Sequence, residues 1–108
     1  MVELTSVSAQ STYTDVDLNS TGTTTLLSPS TDVQISGVYL LNGGTSAEVD
    51  LEITDGTDTA TLSEGSGGGN VTFGDTTILG AGDSLQITVQ TAEGAAQTNT
   101  AVVIYAEP

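Results

Sequence analysis

No lysine, arginine, histidine, cysteine or tryptophan occurs among the 108 residues. Each absence excludes a class of chemistry. Nucleic-acid binding needs cations to displace the phosphate counterions, and only a terminal amine is on offer. A polybasic attachment to anionic lipid fails for the same reason. Without histidine there is no imidazole base and no His-ligated zinc. Without cysteine there is no thiol nucleophile, thiolate cluster or disulfide. Ser and Thr are abundant but have no His or Lys to activate them, so the chain is expected not to be an enzyme. The start, Met1-Val2-Glu3-Leu4-Thr5, lacks the basic and apolar regions of a secretory signal. No apolar run approaches the ~20 residues of a membrane-spanning helix. Synthesis in the cytoplasm, with no membrane partner, is the resulting expectation.

What is present is acid. Fourteen Asp and Glu give a formal net charge of -14. Folding compacts these charges and so increases their mutual repulsion. The Debye length is about 8 Å at physiological ionic strength and about 3 Å at 1 M. Surface carboxylates roughly 7 Å apart, the same-face spacing along a strand, feel each other in the first case and scarcely in the second. A surface of this kind suits concentrated salt, as in a halophile or a virus of one.

Leu, Ile, Val and Phe fill 26 of the 108 positions. That share exceeds the roughly 20% below which charged chains stay disordered, so one folded domain over residues 1–108 is expected. Twenty Thr, eleven Ser, ten Val and five Ile bias the chain toward β structure, and thirteen Gly cut it into short runs. No helical apolar stripe with caps is present. Residues 1–12 read as an N-terminal arm or edge strand. In 12–18, Tyr13, Asp15 and Asp17 share one face, with Thr12, Thr14, Val16 and Leu18 on the other. A strand is expected at 23–28. The apolar run 33–42 puts Val33 and Ile35 on one side, with Gly37 at the next same-side position marking a bulge or close approach. Val38 to Leu41 read as covered on both faces, and Asn42-Gly43-Gly44 as a turn.

Residues 46–54 alternate most clearly, with Ala47, Val49, Leu51 and Ile53 inward and Glu48, Asp50 and Glu52 outward. Asp55-Gly56 is a strong hairpin signal, leading to a strand at 57–62. Residues 64–70 (EGSGGGN) read as a loop, 71–79 as a strand, Gly80 to Asp83 as a turn, and 84–90 as an alternating strand. A loop at 92–98 precedes a last strand near 99–106, apolar on both faces. About eight short strands at 8–12-residue spacing indicate an all-β fold, a single antiparallel β-sandwich or jelly roll.

Few constellations suggest chemistry. Glu48, Asp50 and Glu52 form a same-face row that could weakly hold Na+, K+, Mg2+ or Ca2+ if other oxygens completed the shell. A solvated outer face accounts for the row more simply, and no cofactor is expected. Thr54 to Asp58 lacks the alternating Asp and terminal Glu of a calcium loop. Gly65 to Gly69 lacks the helix and cation of a phosphate loop. Asn19-Ser20-Thr21 and Asn70-Val71-Thr72 match the N-glycosylation pattern by composition alone. The four aromatics, Tyr13, Tyr39, Phe73 and Tyr105, read as core or interface groups rather than a sugar platform.

From Val33 onward the order of features resembles small β-sandwich virion proteins of tailed viruses. The resembling residues are Val38-Tyr39-Leu40-Leu41-Asn42, then Ser46-Ala47-Glu48-Val49-Asp50-Leu51, then Thr77-Ile78-Leu79-Gly80-Ala81-Gly82-Asp83-Ser84-Leu85-Gln86-Ile87 and a closing apolar strand. The resemblance covers roughly residues 33–106. With the charge, it implies a structural protein of a tailed virus infecting haloarchaea. The implied role is a capsid decoration or accessory protein on the virion surface, a homo-oligomer, expected to be a trimer, docked on the major capsid protein or another virion protein. A tail, spike or baseplate component and a glycan-binding β-sandwich module are the alternatives. The basic residues that some such proteins use to grip a capsid are absent here.

Repulsion of this density makes stability depend on salt. The melting temperature followed by circular dichroism should climb steeply between about 50 mM and molar KCl. A stability already complete in the dilute buffer would contradict the salt argument.

Overall fold

The computed structural model describes residues 9–41, 47–66, 71–73, 77–93 and 98–107. These residues form nine strands and no helix: β1 (Ala9–Asp17), β2 (Gly22–Leu27), β3 (Val33–Leu41), β4 (Glu48–Thr54), β5 (Thr59–Ser66), β6 (Val71–Phe73), β7 (Thr77–Leu79), β8 (Ser84–Thr91) and β9 (Thr98–Ala106). Sheet A has the order β1-β9-β3-β6, with β7 pairing the other end of β3, and sheet B the order β2-β8-β4-β5. Both short strands β6 and β7 run antiparallel to β3, so they act as one interrupted edge. Counted that way, the strands number eight.

The pairing is nested. β4 pairs β5, β3 pairs β6 and β7, β2 pairs β8 and β1 pairs β9, all antiparallel. The chain is thus one long hairpin, folded about residues 55–58 and rolled so that β3 meets β9 and β4 meets β8. Two facing antiparallel sheets with this nesting are a jelly roll. The expected all-β sandwich or jelly roll is what forms.

The central turn stabilises itself. Gly56 has φ +94°, a conformation that L side chains rarely adopt. Asp55 Oδ1 accepts the N–H groups of Thr57 at 2.8 Å and Asp58 at 2.7 Å. Thr54 Oγ1 donates to the Asp58 carbonyl at 2.9 Å and accepts the Gly56 N–H at 3.0 Å. The sequence Thr54-Asp55-Gly56-Thr57-Asp58 is therefore spent on hairpin chemistry. Those same backbone N–H groups, Asp58 first and then Thr57, hold the Asp55 carboxyl below its ordinary range.

Between the sheets the core is aliphatic. Leu18, Ile35, Leu40, Leu51, Leu79, Leu85 and Ile87 are its largest fully buried members, joined by Val16, Val33, Val38 and Val103. Their period of two along each strand sets the registers, because a one-residue slip would carry a whole row into solvent.

Several local expectations change. Ser36 bulges β3 against β9, where Ile35 pairs Tyr105 and Gly37 pairs Ile104. Gly37 therefore moves to the face opposite Val33 and Ile35. The same shift restores alternation beyond it: Val38 and Leu40 are buried while Tyr39 points out, so this stretch is not covered on both faces. Residues 64–66, read as loop, continue β5 through a bulge opposite Leu51. The expected strand over 71–79 is β6 and β7. The expected turn at Asn42-Gly43-Gly44 lies outside the described residues, as do residues 1–8 of the expected arm. Residues 9–12 belong to the edge strand β1.

The turn carries a prediction with a definite sign. Because the folded-state pKa of Asp55 is depressed, its contribution is fully present above the unfolded carboxylate range. It is lost as pH falls through the folded-state value. Carboxyl NMR should show Asp55 titrating below a model Asp peptide. Asp55→Ala should lower the melting temperature near neutral pH, and the difference from wild type should shrink in strong acid.

Candidate functional site

The two sheets present outer faces of opposite character. Outer positions of sheet B include Glu48, Asp50 and Glu52 on β4, with Glu64 directly opposite Asp50 on β5. Two like charges facing each other across a strand pair are unfavourable, and no cation of this chain relieves them. The relief on the other side comes from β8. Gln86 Nε2 donates to Glu52 Oε1 at 2.9 Å and Thr88 Oγ1 donates to the same oxygen at 2.6 Å. Gln90 Nε2 donates to Asp50 Oδ2 at 3.1 Å, and Thr91 Oγ1 to Glu48 Oε2 at 3.3 Å. Thr88 spends its only proton on Glu52, so Thr23 Oγ1, 3.0 Å away, is the donor in their contact. A hydrogen-bonded line thus crosses β2, β8 and β4.

These bonds alter the picture of a solvated acidic row. Glu48 is exposed and Asp50 half-buried, but Glu52 is only 9% exposed. The register explains this, since Glu52 faces Gln86 directly and reaches Thr88 on the diagonal. Among the described residues no group of three or more Asp or Glu is placed to hold a metal ion. Glu48, Asp50 and Glu52 each turn instead to a neutral donor on β8.

Sheet A faces outward with a different set. Tyr13, Val102 and Tyr39 pair in one row across β1, β9 and β3. Ile104 lies on the same face of β9, and Ile78 on the same face of β7 as Gln34 opposite it. Tyr13 is 68% exposed, Ile78 65% and Tyr39 37%, and these are the exposed large hydrophobic residues among those described. All three belong to this face. Tyr39 lies over Gly37: a Cβ there would meet its Cε2 at 2.9 Å. The missing side chain lets the phenol lie flat on the sheet. Tyr105 instead packs against the core, and its hydroxyl donates to Gln10 Oε1 at 3.2 Å. Of the described carboxylates, Asp15 and Asp17 reach this face, both at one end of β1.

The sequence pattern puts Glu48, Asp50 and Glu52 outward, as they are, and Tyr13 on one face with Asp15 and Asp17 without saying which. It did not single out the apolar face. The signal was nonetheless there: in Ile78-Leu79 and in Val102-Val103-Ile104, adjacent apolar residues of one strand must point to opposite sides. With Leu79 and Val103 buried, Ile78, Val102 and Ile104 had to face out.

The chain matches no protein-family model and no curated protein. Solved structures do resemble it. A chain of the acid-stable capsid of Helicobacter pylori bacteriophage KHP30 superimposes with a TM-score of 0.76 at 13% identity, covering 93% of this chain and 88% of that one. A pentameric capsid protein from metagenomic phage sequences superimposes with a TM-score of 0.51 at 22% identity, covering 90% of this chain and 60% of that one. At such identities the likeness is one of fold.

The Glu52 contacts make a prediction. Glu52→Ala leaves the half-buried Gln86 amide and Thr88 hydroxyl without their acceptor and should cost about 1–3 kcal/mol. Glu52→Gln keeps an acceptor oxygen and should cost less. Urea unfolding of both variants in molar KCl measures the difference.

Proposed function

We propose that this protein is a non-enzymatic structural component of a virus particle. It acts as a decoration or accessory protein that coats and stabilises a capsid in high salt. The observation that carries this reading is the jelly roll itself, which matches a chain of the KHP30 phage capsid over 93% of the present chain. The second structural neighbour is also a phage capsid protein. The chemistry agrees, because a particle-bound protein works through contact surfaces and needs no reactive group. The acidic outer face of sheet B suits exposure to brine on the virion surface, where counter-ions such as Na+, K+, Mg2+ or Ca2+ gather near Glu48 and Asp50.

The protein works in this proposal as a homo-oligomer, a trimer, seated on the major capsid protein or another virion protein. Many copies supply area and avidity that one small surface lacks. With no basic residue to grip the shell, docking uses apolar contacts, strand addition or cations carried by the partner. The acidic charge supports a tailed virus of a haloarchaeal host as the source.

Quantitative mass spectrometry of purified particles tests the reading. Copy numbers in the hundreds per virion are the expected result. Tens of copies would move the protein to a tail, spike or baseplate, and its absence from particles would favour a free glycan-binding module instead.

A further inference from the structure

We infer that the outer face of sheet A is the surface through which copies of this chain join, with Tyr13, Val102, Tyr39, Ile104 and Ile78 at its centre. This rests on the oligomer reading above and gives it a two-fold contact: a face that meets its own copy pairs chains two by two, so a trimer needs a further contact beyond this one. The occupant is a second copy of the chain, and the reason is electrostatic. A copy brings no cation, so any contact it makes through carboxylates meets carboxylates or neutral groups. Sheet B, with Glu48, Asp50, Glu52 and Glu64 outward, is unsuitable for such a contact. Among the described residues, sheet A carries two outward carboxylates, Asp15 and Asp17, together at one end of an edge strand, leaving the row Tyr13–Val102–Tyr39 uncharged.

Distance decides the rest. Packed sheets lie about 10 Å apart, so two copies meeting through sheet A hold their acidic sheet B faces on the order of 30 Å from each other. That is several times the Debye length of about 8 Å even at physiological ionic strength. Copy-to-copy repulsion across the joint is therefore small, and brine reduces it further. A contact through sheet B would place the same carboxylates within a single Debye length.

The size also fits. β1, β3 and β9 are nine residues long. Four strand positions about 4.8 Å apart and about 30 Å long give a plan area on the order of 600 Å2. Side-chain relief raises this toward the about 800 Å2 that each partner of a stable complex buries. Tyr39 suits the role because Gly37 lets it lie against the sheet, so little freedom is lost when a partner covers it. The aliphatic neighbours Val102, Ile104 and Ile78 favour an apolar protein partner over a sugar, which needs polar groups beside its stacking rings.

Light scattering of the full chain across a KCl series, with three variants, tests this. Tyr13→Asp and Ile78→Asp replace side chains already exposed in the single chain, so circular dichroism should remain that of wild type. Thr25→Asp on the outer face of sheet B is the control. The expected result is an oligomeric wild type and Thr25→Asp. Each sheet A variant should dissociate at concentrations roughly thirtyfold higher than wild type. A chelator should leave the oligomer intact. An oligomer unmoved by Tyr13→Asp and Ile78→Asp, or dissolved by the chelator, would overturn the face and leave the oligomer standing. A monomeric wild type at every salt would overturn the face and the oligomer together, while particle association, measured separately, would still decide the capsid reading. Binding of a soluble glycan by that monomer, lost in Tyr13→Asp, would assign the face to sugar.

Discussion

A folded chain with fourteen carboxylates and no cation must answer each half-buried carboxylate with a neutral donor. The rest of the molecule follows from that constraint. Buried Glu52 takes Gln86 and Thr88, and half-buried Glu93 takes the Ala47 N–H at 2.7 Å; the exposed Asp32 and Asp17 likewise take the Ala81 N–H at 2.9 Å and the Asn19 N–H at 2.8 Å. The wealth of Thr, Ser and backbone turns is the complement of the acid. A hydrogen bond to a charged acceptor contributes about 1.5–3 kcal/mol and acts over contact distance. Concentrated salt, which screens ion pairs, leaves such bonds largely intact and removes the longer-range repulsion between their acceptors. Neutral donors thus let salt act almost entirely in favour of the fold.

The same logic explains why the local chemistry gathers at the middle of the chain. Nested pairing makes each hairpin ladder, though not the rolled contacts of β3 with β9 and β4 with β8, depend on residues nearly equidistant from Gly56. β1 and β9 are the outermost pair, joining Ala9 to Ala106. Pairings of such sequence separation carry a large loop-closure cost unless inner pairs form first. A turn whose side chains satisfy their own backbone lowers the cost of the first pair, and each later pair closes a shorter effective loop. Two docking contacts tie the roll together: the Gly82 N–H donates to the Pro29 carbonyl at 3.2 Å, and the Glu93 N–H to the Leu18 carbonyl at 2.7 Å. Each joins a connection from the first half of the chain to one from the second.

Much of this was legible in the residues alone. Period-two alternation revealed β4 and β8, and Asp55-Gly56 revealed the central turn, because both signals are local. The single β-sandwich class followed from strand spacing. Strand order did not follow, since it depends on which distant rows of Leu, Ile and Val interlock. The bulge at Ser36 was invisible for the same reason: it exists to bring Ile35 against Tyr105 and Gly37 against Ile104, two pairings made with the last strand. That hidden shift reversed the side assigned to Gly37 and obscured Tyr39 as an outward group. Glu52 was legible as outward-facing but not as covered, because its cover comes from Gln86 and Thr88, more than thirty residues away.

The cation-free composition also limits how such a molecule can recognise anything. Partners chosen by complementary charge are unavailable unless they bring all of the positive charge themselves. Among copies of the chain, selectivity has to come from shape, from strand edges and from the placement of neutral groups. The jelly roll supports this by separating two requirements in space. Sheet B holds acid against solvent ions, and sheet A keeps an uncharged row of Tyr13, Val102 and Tyr39 across three strands whose registers the core fixes. A side chain held flat over Gly37 is positioned by backbone rather than by a rotamer equilibrium, so its geometry depends on no charge. Where electrostatics can only repel, a rigid apolar face is the physical means by which the proposed joining of copies would reach a set orientation.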